Sequence, residues 1–320
     1  MAEEAYDGVQ VGRNDADKAW KTVDDVWRAS RKGPGVCNGD YYQHYTTLSS
    51  AITKISQRRW WLTQSTNVRL NDLQESRKFG VSGIAKRTYQ TSFVHSITED
   101  VSMWGLYAPQ NPFAIRITIP GERLSRWIDE VKKKDQLHKL TNHKDGTDSI
   151  EKEFTDFRDV IYASVGGEDG DKYDIRRGNH LFWRGERSAE IKDLACGIKR
   201  GICTGWFKDY EWRHENEARL CMRLKKVNGQ KAMWTEISED LLCDLRFTFS
   251  PWLPRCYEHE VEKIIRNAYE GAGVKLTKGC RQHFRRSSVS GALNFVRESD
   301  LESFGSPLSE FQKKALKGIM

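Results

Sequence analysis

The sequence predicts an α+β fold with a mixed, mostly antiparallel central sheet and flanking helices. Three observations lead there. Short segments rich in β-branched and aromatic residues, several alternating apolar and polar positions, recur between segments with helical spacing. Strands and helices do not follow the regular strand–helix–strand order of a doubly wound parallel sheet. And 320 residues carrying 11 Trp, 11 Tyr and 13 Phe hold ample bulky material for a core.

Residues 1–38 read as an N-terminal helical extension: Trp20, Val23 and Trp27 stand at helical spacing, and Gly33-Pro34-Gly35 ends the run. The main α+β domain covers 39–280. It opens with a strand at 40–46, a helix at 49–56 with Ile52 and Ile55 on one face, and a strand at 59–63. Residues 88–96 read as a third strand, 99–108 as a short helix, and 113–119 as a half-buried strand alternating Phe113, Ile115, Ile117 and Ile119 with Ala114, Arg116 and Thr118. A basic helix is expected over 123–140, a polar loop over 142–149, a strand over 160–165 and a turn at 166–170. Residues 193–207 have helical character broken by Gly197, Gly201 and Gly205. Strands at 215–224 and 245–249, a helix at 257–270 and a closing strand at 274–277 complete the domain. Residues 281–320 read as a basic C-terminal tail that begins with Arg281, His283, Arg285 and Arg286. Within it, Arg285-Arg286-Ser287-Ser288 resembles a basic-directed phosphorylation site.

Fifty-two Lys and Arg against 45 Asp and Glu give a net charge of +7, with the signs interspersed. That permits contact with nucleic acid or an anionic ligand and equally describes a solvated surface. Seven cysteines, an odd count with no C-x-x-C spacing, argue against a disulfide framework and a zinc ribbon, so no metal is expected. No apolar run approaches the ~18–20 residues of a membrane helix. With an acidic N-terminus lacking a secretory pattern, the expectation is a cytoplasmic protein that does not engage a membrane.

Four clusters can carry chemistry. On a strand, Glu215, Glu217 and Arg219 share one face, which sets two carboxylates roughly 7 Å apart, able to divide labour; the plainer reading is a solvated strand with an internal ion pair. His44 and Thr46 end a strand where a ribose or phosphate could bind, or where a buried His is satisfied by Thr47 or Ser49. Asn71-Asp72 is either a binding loop or a turn and cap. Trp104 and Tyr107 lie three apart on one helix face, either as core or as a platform for a flat heterocycle. There is no Gly-rich phosphate fingerprint and no Walker sequence.

Read in order, these pieces resemble a known family. His44-Tyr45-Thr46, then Leu70-Asn71-Asp72 with Glu75, Ser92-Phe93, Met103-Trp104 with Tyr107-Ala108, and Trp212 with Glu215-Asn216-Glu217-Ala218-Arg219 resemble the bacterial family called domain of unknown function 2971. The likeness covers about residues 41–280. It departs at Leu73, where the family has Pro, at Thr91 or Ser92, where it has Cys, and near Pro112 and Phe113, where a Gly is expected. A more distant similarity is to ADP-ribosyltransferases, which set an early His or Arg, a helix-borne aromatic and a late Glu-x-Glu in the same order. That resemblance implies an ADP-ribosyltransferase-like fold with NAD as substrate. It implies that His44, Thr46 and Asn71 hold the ribose or phosphate, and that Trp104 or Tyr107 stacks on nicotinamide. Glu217 would stabilise the oxocarbenium ion and Glu215 would tune the acceptor, a nucleic acid or a protein. The corresponding role is that of a toxin or phage-defence effector. The alternatives are a non-catalytic binding or regulatory module of the same fold and a nucleic-acid-processing enzyme, the last lacking an Asp and a Lys near Glu215 and Glu217 in the sequence.

Overall fold

A computed structural model describes residues 36, 39–66, 82–109, 111–133, 136–139, 149–163, 172–177, 180–186, 205–226, 229–274 and 283–290. The chain enters through β1 (Tyr41–Thr47), α1 (Leu48–Ser56) and β2 (Arg59–Gln64). After α2 (Ser82–Ala85) come β3 (Thr88–His95), α3 (Val101–Tyr107), β4 (Ala114–Pro120) and α4 (Gly121–Lys133). Five strands follow: β5 (Gln136–Lys139), β6 (Ser149–Asp159), β7 (Ile161–Ala163), β8 (Lys172–Arg177) and β9 (His180–Glu186). Next are β10 (Phe207–Asp209), a 3-10 turn at Tyr210–Glu215, β11 (Glu217–Leu224) and β12 (Ala232–Glu236). The described chain ends with α5 (Glu239–Cys243), β13 (Arg246–Phe249), α6 (Arg255–Gly271) and β14 (Phe284–Arg285).

Thr47 is both the last residue of β1 and the cap of α1, its hydroxyl accepting from Ser50 N at 3.2 Å. Asp100 caps α3 in the same way, accepting from Ser102 N at 2.7 Å. Each cap takes up a backbone N–H that the first helical turn leaves unpaired.

Ten described strands form one sheet in the order β11-β6-β5-β12-β2-β3-β1-β4-β13-β14, and β11 also pairs with β3. Strands β2, β3, β11, β6, β5 and β12 therefore close a ring. All pairings in this sheet are antiparallel except β13 with β14. A second sheet runs β10-β7-β8-β9, with a parallel β10–β7 contact. The expected α+β class with a mixed, mostly antiparallel sheet and flanking helices is what the chain adopts.

Strand β3 is the hub. One edge pairs with β11 from Thr88 to Val94. The other edge is divided, Tyr89 and Gln90 pairing with β2 and Val94 and His95 pairing with β1. One face of the ring is apolar: Trp60, Leu62, Tyr89, Phe93, Phe157, Ala218, Leu220, Met222 and Met233 lie in a single buried cluster. Helix α4 adds Leu124, Trp127, Ile128 and Val131 from one stripe, and α6 adds Val261, Ile265 and Tyr269.

Some expectations need correction. The helix expected to reach residue 140 stops at Lys133 because its apolar stripe ends at Val131, and β5 follows. Strand β6 escapes a search for alternation because its apolar residues Ile150, Phe154 and Phe157 fall three and four apart, a helical spacing. Residues 283–290, assigned to the tail, instead dock on the domain: β14 pairs with β13, and Phe284 stacks on Phe247 at 5.5 Å. Trp20, Trp27 and Asn71 lie outside the described residues, as does most of the expected 193–207 helix.

Candidate functional site

Asn216 has a positive φ of 42°, and the strand begins only after it. Glu215 therefore ends the 3-10 turn instead of sharing the β11 face with Glu217, which corrects the alternation expected over 215–219. The left-handed bend, which Asn tolerates better than most residues, is held by Asn216 Nδ2 donating to the His95 carbonyl. The two carboxylates meet nonetheless, because Lys208 of β10 lies between them. Its ammonium donates to Glu215 Oε2 in a short contact and to Glu217 Oε2 at 3.3 Å.

Arg219, two residues along β11, grips Glu217 with a fork: Nε to Oε1 at 2.6 Å and one terminal NH2 nitrogen to Oε2 at 2.8 Å. Its other terminal nitrogen donates to the Gly205 carbonyl at 3.0 Å. Gly205 has φ +86°, and a Cβ there would come within 2.9 Å of Gln90 Oε1 and 3.2 Å of Cys221 Sγ, so only glycine brings this carbonyl to the arginine. Tyr107 of α3 donates its hydroxyl to Glu215 Oε1 at 2.9 Å, and the Glu217 backbone N–H donates to Tyr162 of β7 at 2.8 Å. Lys208 also lies 4.7 Å from the centre of the Trp212 ring. None of the four charged side chains exceeds 4% exposure.

Burial and charge set the protonation states apart. Burial raises the pKa of both carboxylates, but Arg219 and Lys208 outweigh it at Glu217 and pull that residue down to about 2. At Glu215 burial and the neighbouring anion of Glu217 win over Lys208, and its pKa is raised. The first proton taken up by the pair therefore goes to Glu215, where the guanidinium fork is absent. Burial and then the charges of Glu217 and Glu215 push the Tyr107 phenol well above its ordinary value, so it remains a donor.

The other expected site residues divide between the two faces of the sheet. Gln43, Val94 and Glu217 stand side by side across β1, β3 and β11. Side chains alternate along a strand, so His44 and Thr46 belong to the reverse face. The His44 ring lies 5.1 Å from Trp60 and 5.9 Å from Phe93, in the apolar layer. Its Nδ1–H donates to the Ser92 carbonyl at 3.0 Å where β1 and β2 part. Burial first, then the charge of Lys54, lowers its pKa to about 3, so it is neutral. Trp104 is on the Glu217 face, fully buried, edge-on to Tyr45 at 4.9 Å, with its Nε1–H on Glu99 at 2.7 Å. The structure thus brings Tyr107, Glu215 and Glu217 together and places His44 and Thr46 apart from them.

Sequence reasoning missed Lys208 and Tyr162. Lys208 stands seven residues before Glu215, just past the Gly-interrupted stretch 193–207 read as helical, and its one signal is its place directly after the aromatic pair Trp206-Phe207. Beside the cluster lies a polar pocket of about 330 Å³ lined by Val94, Ser96, Thr98, Glu99, Asp100, Val101, His214 and Asn216. It touches the cluster through Asn216, which sits between the two carboxylates in the chain, and through Val94, the strand partner of Glu217. Among the described residues no three His, Cys, Asp or Glu side chains are grouped to hold a metal, and no helix is long and apolar enough to cross a membrane.

No protein-family model, no curated protein and no solved structure matches this chain.

Proposed function

We propose that the chain is an ADP-ribosyltransferase-like enzyme that cleaves NAD and passes ADP-ribose to a macromolecule, a nucleic acid or a protein. One observation carries this reading: two carboxylates share a lysine yet are shifted in opposite directions from the ordinary carboxylate pKa, with a tyrosine from α3 on one of them. Departure of nicotinamide builds positive charge on the ribose, which a permanently ionised Glu217 would stabilise. The acceptor must lose a proton, and a carboxyl of raised pKa such as Glu215 is suited to take it. The likeness to the domain of unknown function 2971 pattern and to the transferase motif order agrees with these roles. In this reading His44 supports the sheet and does not hold the ribose.

The test is nicotinamide release and acceptor labelling with labelled NAD and a mixture of RNA, DNA and protein. Glu217→Gln is expected to lower nicotinamide release by about 10²–10³-fold while a thermal melt shows a folded protein. Glu215→Gln should reduce labelling of the acceptor more than release. Wild-type protein that releases no nicotinamide with any acceptor overturns the reading.

A second reading, a non-catalytic binding module, is favoured by one observation: Glu217 is only 3% exposed and its charge is met by both Arg219 and Lys208. Calorimetric binding of NAD without nicotinamide release would select it.

A further inference from the structure

In the segment Arg285-Arg286-Ser287-Ser288-Val289, both serines bond to one carboxylate of the domain, and Val289 packs against the buried cluster of Tyr45 and Trp104. Ser287 Oγ donates to Glu99 Oε1 at 2.5 Å, and the Ser288 N–H and hydroxyl both donate to Glu99 Oε2, at 2.8 Å and 2.7 Å. Glu99 also accepts from Trp104 Nε1 and lines the polar pocket. Burial opposes its ionisation, but the hydroxyls of Ser287 and Ser288 and the charge of Arg116 hold its pKa below the ordinary carboxylate value, so it is an anion at neutral pH. Ser287 is buried at 3% exposure, whereas Ser288, Arg285 and Arg286 are exposed. Arg286 contacts Glu258 at 3.5 Å with more than a third of its side chain open, and a two-residue strand is the segment's backbone pairing to the sheet.

We propose that Ser288 is a phosphorylation site for a basophilic serine kinase, and that its modification detaches residues 286–290 from Glu99 and so frees a carboxylate that lines the pocket. The two arginines stand three and two residues before the exposed hydroxyl, where an acidic kinase groove would pair with them. In the transfer, Ser288 Oγ bonds to the γ-phosphorus of a nucleoside triphosphate. The bond to the β–γ bridging oxygen breaks, the diphosphate leaves, and the hydroxyl proton passes to the kinase's base. The product replaces a donor with a group of charge about −1.5 to −2 that only accepts, directly against the Glu99 anion. Three hydrogen bonds to Glu99 then lose their geometry or their donor. The inference does not depend on NAD chemistry.

The experiment uses the full chain with a basophilic serine kinase and magnesium ATP, followed by fragmentation mass spectrometry and amide hydrogen exchange. One phosphate is expected on Ser288, and none on the Ser288→Ala chain. Exchange of the Ser288 and Val289 amides should rise by about tenfold or more after phosphorylation, as loss of even one charged hydrogen bond would give. Glu99→Gln, which weakens the anchor without any phosphate, should raise the same exchange and speed phosphorylation of Ser288. No phosphate on Ser288, or a phosphate that leaves both amides protected, overturns the proposal, as does a Glu99→Gln chain phosphorylated at the wild-type rate.

Discussion

On one face of β11, Ala218, Leu220, Met222 and Leu224 sink into a layer with Tyr89, Phe93 and Trp60, all fully or almost fully buried. On the other face, Glu217, Arg219, Cys221 and Arg223 are buried as well, at 3%, 2%, 0% and 7% exposure. The first face is dry because nothing on it needs water. The second is closed by charge pairing: Lys208 and Arg219 answer Glu215 and Glu217, and Tyr107, Tyr162 and Gly205 take further hydrogen bonds. The comparison teaches that burial alone does not separate core from site. An apolar layer can shed one partner and lose only packing, whereas a buried ion cluster that loses a partner strands a charge.

The largest effect should come from breaking that cluster. Lys208→Met leaves Glu215 and Glu217 sharing a dry space with Arg219 as the remaining cation of the cluster, and is expected to cost about 3–5 kcal/mol in urea unfolding. Met222→Ala on the opposite face removes only packing and should cost about 2–5 kcal/mol, depending on how far the cavity collapses. The faces are told apart by pH: the Met222→Ala loss should stay constant between neutral pH and pH 5, while the Lys208→Met loss should shrink as Glu215 takes up a proton. Equal pH behaviour in the two variants would break the comparison.

Tyr107→Phe is a smaller change, since it keeps the ring and removes one donor to Glu215. A cost of about 1.5–3 kcal/mol is expected, the range for a hydrogen bond to a charged group. A loss near zero in thermal and urea melts would mean that Glu215 already carries its proton at neutral pH.

The smallest effect concerns His95, at the end of β3 near the cluster. Its ring stacks on Tyr42 at 4.6 Å and lies between two carboxylates, Asp159 at 3.1 Å and Asp40 at 2.8 Å. Burial alone would lower its pKa, but Asp159 and then Asp40 raise it above the ordinary 6.5. A histidine whose folded pKa is raised stabilises fully below its unfolded value and loses that contribution as pH rises through the folded one. Wild-type stability should therefore decline as pH climbs above 6.5 towards the raised folded value, and His95→Gln should flatten that slope. An unchanged slope would remove His95 from the account.

Local patterns made much of the ring legible in the sequence. Strands β1, β2, β3 and β4 and helices α1, α3 and α6 declare themselves by alternation, by β-prone composition and by helical spacing. Strand β12 was illegible because Ala232, Met233 and Trp234 run without alternation. At the site, Tyr107, Glu215 and Glu217 were readable as residue types in order. Lys208 was not, because its role depends on β10 bringing its side chain to Glu217 of β11, and no local pattern encodes such a meeting. His44 was readable as a histidine ending a strand, but the face it occupies follows from pairing register, which Val94 and Gln43 fix only once the strands have met.

The closed ring also sets an order of assembly. Strands β2 and β3 emerge early in synthesis, yet β3's full-length partner β11 and the closing strand β12 come from the last third of the described chain. At ordinary elongation speeds that wait is on the order of ten seconds. Through it, the edge of β3 and the apolar flanks of Trp60 and Phe93 have no partner from β11. The same late segment brings Glu217 and Arg219, so a nascent chain released before β11 would have neither the ion cluster nor the ring.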